Sequence, residues 1–144
     1  MYNLRMNTHI DLLKKHNLKA TPQRLAILST VAKYGHITID NLYAEIKDMF
    51  HSISLATIYK NINSMTDEKL LCEVKIPNSK SVYEIVKDGH AHLKCEVCGE
   101  IKDMVINSEE IFEPISNEYQ FKIHHSDVII SGVCKNCLIE GKND

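Results

Sequence analysis

Residues 54–86 read SLATIYKNINSMTDEKLLCEVKIPNSKSVYEIV, and a change of rhythm inside them decides the fold. Ser54 is a helix N-cap, and Leu55, Ile58, Ile62 and Met65 recur at helical spacing as an inner face. From Cys72 the period falls to two. Cys72, Val74 and Ile76 alternate with Glu73 and Lys75, Pro77-Asn78-Ser79-Lys80 supplies a turn, and Val82 to Val86 returns as a second strand. Upstream lie three more helical units. Residues 8–16 set Ile10, Leu12 and Leu13 among polar side chains. Thr21-Pro22 caps and starts a helix carrying Leu25, Leu28, Val31 and Ala32, which Gly35 ends. Thr38 caps the third, with Asp40 in its first turn and Ile39, Leu42, Tyr43 and Ile46 as its buried stripe. Helices followed by a β-hairpin are the order of a winged helix-turn-helix. In that arrangement the second helix of the pair enters a major groove. The outer side of residues 54–66 offers Thr57, Tyr59, Lys60, Asn61 and Ser64, side chains able to meet bases and phosphates.

Charge divides the chain in the same place. Residues 1–83 hold eleven Lys/Arg against seven Asp/Glu, whereas residues 84–144 hold six against twelve, so the overall −2 conceals a basic half and an acidic half. The basic half suits phosphate and the acidic half suits cations. No apolar run approaches 18 residues and no uninterrupted apolar stretch opens the chain, so a cytoplasmic protein without a membrane span is expected. Residues 84–90 are read as a hinge around Lys87-Asp88-Gly89. Beyond it come short strands near Leu93 and over Ile101–Val105, a helix near 107–119 carrying an awkward Pro114, and strands near 121–125 and 128–133. The fold class is thus α+β, with a winged-helix domain over 1–83 and a small α/β domain over 84–144.

Cys95-Glu96-Val97-Cys98 and Cys134-Lys135-Asn136-Cys137 are two CxxC knuckles, and Gly99 suits the turn after the first. Each knuckle presents two thiolates from one side, and two together complete the tetrahedron of a closed structural zinc site. A redox reading of either pair would need a βαβ setting, and two disulfides would need an oxidising compartment. Cys72 is read as an inert inward residue of the first wing strand.

His90-Ala91-His92 places two imidazoles on one face of an extended chain, with Glu84 six residues earlier, Asp103 eleven later, and His36 in a loop before a helix. Nitrogen and oxygen donors suit Fe²⁺, Mn²⁺ or Zn²⁺, and a five-donor set suits a sensing site. His9, His16 and His51 are read as solvated, and His124-His125 as a weaker ligand candidate. No HExxH or similar motif supports a hydrolase, so no catalytic residue is assigned; a protein-binding zinc ribbon is the other alternative.

Taken together, residues 18–24 (LKATPQR), residues 54–61 (SLATIYKN), the His90/His92 pair and both CxxC motifs resemble the ferric uptake regulator family over essentially the whole chain. The resemblance implies a DNA-binding winged helix, a C-terminal domain that makes a homodimer, structural zinc on Cys95, Cys98, Cys134 and Cys137, and a regulatory Fe²⁺ or Mn²⁺ (Zn²⁺ in vitro) on His36, Glu84, His90, His92 and Asp103. It further implies that Lys19 reaches the minor groove and Tyr59 a base, beside Thr57, Lys60 and Asn61. Members with a third metal site carry ligands where this chain has Gly89, Ala91 and Ser126. That absence, with Tyr59-Lys60-Asn61, resembles the peroxide-sensing repressors. Glu84, where that subgroup carries Asp, resembles the iron-level sensors, the alternative reading.

Overall fold

The computed structural model describes residues 2–87 and 89–141, with side chains from residue 7 onward. The chain separates into two compact units, Met1–Val86 and Lys87–Asp144. The division falls after Val86 rather than after residue 83, because residues 84 and 85 are still laddered into the wing. Glu84 therefore belongs to the first unit.

In the first unit α1 (Tyr2–Lys15), α2 (Pro22–Tyr34), α3 (Ile39–Met49) and α4 (Leu55–Asp67) precede a hairpin of β1 (Leu71–Val74) and β2 (Val82–Ile85). The expected caps form. The side chains of Thr21, Thr38 and Ser54 accept from the backbone N–H of Arg24, Asn41 and Thr57, each satisfying one orphan donor of a first turn. Gly35, at φ 75°, returns its N–H to Val31 and stops α2. The facing stripes of these helices bury Leu13, Ile27, Leu28, Leu42, Ile46, Ile58, Ile62 and Met65, with Leu70 and Leu71 closing the core from the wing. Ala32 and Leu55, expected in those stripes, face solvent, since each sits at the margin of its apolar arc. In the wing, Val74 and Ile76 are buried as their alternation expects, but Cys72 is only half so and Leu71 is buried beside it, because a strand this short answers to the helix beneath it as well as to its own period.

In the second unit β3 (His90–Cys95) runs between β4 (Ile101–Val105) and β5 (Ile129–Gly132), antiparallel to the first and parallel to the second. Between β4 and β5 lies α5 (Ser108–Tyr119), and α6 (Lys135–Ile139) follows β5. Helix α5 begins at Ser108 despite Pro114, which stands inside it. The strand expected near 121–125 does not form. Gln120 closes α5 in the left-handed conformation, Phe121 N–H caps Ser116, and no residue of 121–125 ladders to a described strand. No helix among the described residues is long and apolar enough to cross a membrane.

Candidate metal centres and nucleic-acid interface

The parallel pairing of β3 with β5 builds the cysteine site. Cys95 ends β3 opposite Gly132 of β5, so the two knuckles that follow these strands emerge at the same end of the sheet. Cys95 N–H donates to Glu100 C=O at 2.9 Å and Gly99 N–H to Cys95 C=O at 3.0 Å, folding the first knuckle around Gly99 at φ 78°. Cys134 caps α6 and Cys137 lies within it. One sulfur from each of the four cysteines lies within 4.8 Å of every other, and Cys98 Sγ stands 3.8 Å from Cys134 Sγ. Thiolates about 2.3 Å from a tetrahedral zinc stand about 3.8 Å apart, so the spacing already fits the ion.

Backbone N–H groups of Cys134 (3.3 Å) and Cys98 (3.5 Å) donate to Cys95 Sγ. These donors pull its thiol down to about 6. Burial, then the neighbouring sulfurs, push Cys137 up to about 12. Four thiolates at this spacing repel one another, and a divalent cation is what lets all four stay deprotonated. The four cysteines fit a structural zinc site. Cys72 lies outside it.

Two smaller donor groups arise from strand register, one in each unit. In the first unit, Ile37 and Tyr83 exchange both backbone hydrogen bonds, at 3.2 and 2.8 Å, in an isolated antiparallel bridge. The residue before Ile37 must then oppose the residue after Tyr83. These are His36 and Glu84, whose Nε2 and carboxylate oxygen stand 3.1 Å apart. Glu84 is only 2% exposed. A carboxylate so buried demands cationic company.

In the second unit, β3–β4 register sets His92 opposite Asp103, with Nε2 3.7 Å from the carboxylate. His90 and His92, two apart on one strand, share a face, and their Nε2 atoms lie 3.2 Å apart. Lys87 forms an ion pair with Asp103. Two imidazoles in mutual contact with a carboxylate beside them are a donor set for a divalent Fe, Mn or Zn ion. His124 and His125 are exposed, and His125 meets Asp127 at 3.2 Å. His51 is exposed as expected. His9 and His16 are half-buried, and His16 Nδ1 lies 2.9 Å from the Glu68 carbonyl oxygen.

On α4 the outward residues divide into two kinds. Tyr59 and Lys60 are exposed, as is Lys19 in the loop before α2. Thr57 and Asn61 are half-buried and engaged. Thr57 shares in the Ser54 cap, its hydroxyl 2.9 Å from that of Ser54. Asn61 donates to Thr57 C=O at 3.0 Å and accepts from Arg24 Nε at 3.2 Å. Sequence reasoning passed over Arg24 as part of a helix start. One signal was available: a cation in the first turn opposes the helix dipole, so it needs a specific partner to be there. It also passed over Lys80, which pairs with Asp40 beside Tyr59 in a groove lined with Thr38, Glu73 and Tyr83.

Comparison with known proteins agrees with this arrangement. The profile of the Ferric uptake regulator family matches residues 15–131. The peroxide-responsive repressor PerR of Staphylococcus epidermidis is 33% identical over 131 residues, 90% of this chain and 87% of that one. Among solved structures, the Campylobacter jejuni peroxide stress regulator is 38% identical with a TM-score of 0.72, over 89% of this chain and 98% of that chain. The Helicobacter pylori ferric uptake regulator, described with three functional metal-binding sites, is 26% identical with a TM-score of 0.71, over 95% and 90%. The chain belongs to the ferric uptake regulator family.

Proposed function

We propose that this chain is a homodimeric, cytoplasmic, metal-dependent repressor that binds operator DNA through its first unit and releases it in response to peroxide. The observation that carries the metal dependence is the paired donor sets. Each unit holds, in its own strand register, part of a nitrogen–oxygen ligand set: His36 and Glu84 in one, His90, His92 and Asp103 in the other. A regulatory Fe²⁺ or Mn²⁺ held by such donors ties DNA affinity to metal occupancy. DNA binding rests on the exposed Tyr59, Lys60 and Lys19 of a basic winged helix, with Thr57 and Asn61 beneath them. The homodimer is supported by the apolar side chains the second unit leaves in solvent: Val105, Tyr119, Phe121, Ile130 and Ile139.

Peroxide responsiveness is supported by the likeness to the Staphylococcus epidermidis and Campylobacter jejuni regulators. Bound Fe²⁺ supplies redox chemistry toward peroxide that Mn²⁺ does not. One peroxide oxygen passes to the His36 or His90 ring and the other leaves as water, and the altered imidazole no longer serves as a ligand.

The test is operator binding by the zinc-replete protein loaded with Fe²⁺ or Mn²⁺, before and after dilute peroxide, with mass spectrometry of the peptides carrying His36 and His90. Release with Fe²⁺ alone, accompanied by one added oxygen on either histidine, is the expected result. Release only on chelation, with unmodified histidines, rejects peroxide sensing. It would establish the iron-level sensor, the reading that Glu84, one methylene longer than Asp, favours.

A further inference from the structure

Arg24 occupies the third position of α2 and makes two guanidinium hydrogen bonds within the first unit. Its Nε donates to Asn61 Oδ1 at 3.2 Å, in the middle of α4. One terminal nitrogen donates to the Lys19 carbonyl oxygen at 3.1 Å, in the loop that precedes α2. Asn61 completes the chain by donating its amide to Thr57 C=O at 3.0 Å. The rigid fork of an arginine thus joins two segments that offer different side chains to DNA: the loop presenting Lys19, and the helix presenting Tyr59 and Lys60. All three of those side chains are exposed. The amide of Asn61 has its oxygen and nitrogen both engaged inside the protein, which leaves it poorly placed to read a base edge.

We propose that Arg24 and Asn61 form a clasp that fixes the Lys19 loop at one distance from the recognition helix, making both positioning residues for sequence-specific DNA binding rather than contacts to DNA. The clasp rests on the DNA-binding reading of the first unit. Its physical content is preorganisation. A loop and a helix that address different parts of a duplex lose affinity for the correct sequence if their spacing wanders, yet keep their charge for any sequence.

The experiment uses full-length, zinc- and Mn²⁺-loaded protein with two probes: a duplex enriched by the wild-type protein from a random library, and a scrambled duplex of equal length. Binding is measured by fluorescence anisotropy across a salt series for wild type, Arg24→Lys, Arg24→Gln, Asn61→Ala and the Arg24→Lys/Asn61→Ala double variant. Thermal melts establish that each variant is folded. Each single variant should lose about tenfold in affinity for the enriched duplex, the size of one charge-assisted hydrogen bond. The scrambled duplex and the salt slope should be unchanged, and the double variant should lose no more than either single one. If Arg24 instead contacts phosphate, Arg24→Lys keeps its charge while Arg24→Gln lowers the salt slope by about 0.9 and weakens both duplexes, with Asn61→Ala harmless. That pattern, or strictly additive losses, overturns the clasp alone. Failure of the wild-type protein to enrich any duplex overturns the DNA-binding reading, and the clasp with it.

Discussion

Cys137→Ser should cost the second unit its fold while sparing the first. The apolar core of helices and wing runs from Leu13 to Tyr83 and lies wholly in the first unit. In the second unit the buried side chains among the described residues are Ala91, His92, Cys95 and Cys137, and α5 buries none. So little burial leaves the unit dependent on its metal. Structural zinc bound to a folding-coupled cysteine site contributes roughly 10–16 kcal/mol, against about 5–15 kcal/mol for the whole stability of an ordinary domain. A serine hydroxyl offers no thiolate, and Cys137 is 4% exposed, so water replaces the lost ligand poorly. Zinc content by mass spectrometry should fall from about one ion per chain to near zero. Amide exchange should show β3, β4 and β5 losing protection while α2, α3 and α4 keep theirs. Cys72→Ser, outside the four-sulfur cluster, is the control and should retain zinc and protection throughout. A zinc-free Cys137→Ser protein with protected β3 would refute the reasoning, since the strands would then be held by something other than the metal.

Tyr59→Ala should abolish preference for the enriched duplex over the scrambled one, while Lys19→Ala should weaken both; equal affinity of both variants to wild type would misplace the DNA surface. Glu84→Asp should preserve or heighten peroxide sensitivity in Fe²⁺-loaded protein, and identical behaviour of the two forms under every metal and oxidant would show that the extra methylene is irrelevant. Lys80 has its pKa raised by the hydrogen bond it donates to Asp40 and by that residue's charge. The pair's contribution is therefore complete below the ordinary lysine value and lost as pH climbs through the raised one. Asp40→Asn should return the Lys80 titration, followed by NMR, toward the ordinary value, and an unmoved titration would mean the pair does not persist in solution.

What could be read in the sequence was local. Thr21, Thr38, Ser54 and Gly35 mark helix ends through hydrogen bonds three or four residues away, and each does what its chemistry requires. The CxxC knuckles are equally local, closing around Gly99 and the start of α6. Failures came where a segment's fate rests on distant neighbours. Alternation placed Val74 and Ile76 inside the wing correctly, but Cys72 is only half-buried while its neighbour Leu71 joins the core of the helices. Residues 121–125 have strand composition, yet none of them pairs with a described strand, and only long-range pairing would have made them one. Asn61 has a side chain suited to adenine, and only the approach of Arg24 from another helix reveals that its amide is engaged.

The metal donors occupy the middle ground, because each group depends on one long-range pairing that spacing alone does not disclose. His36 and Glu84 lie 48 positions apart and meet because Ile37 bridges Tyr83. Asp103 reaches His92 because β4 folds back on β3 in one register, and the two knuckles meet because Cys95 is level with Gly132. In each case a slip of one residue turns the donor to the opposite face of the strand. The sequence nominates donors by type, and the ladders decide which of them share a face. Ile37, Tyr83 and Ala91 are buried while flanking the candidate donors His36, Glu84 and His92, so the same burial that sets the register aims those side chains. Changing Ala91 to a larger residue would overfill a fully buried position and shift β3 without touching a donor atom. Metal affinity would then fall through geometry alone, the route by which a folding constraint becomes a constraint on sensing.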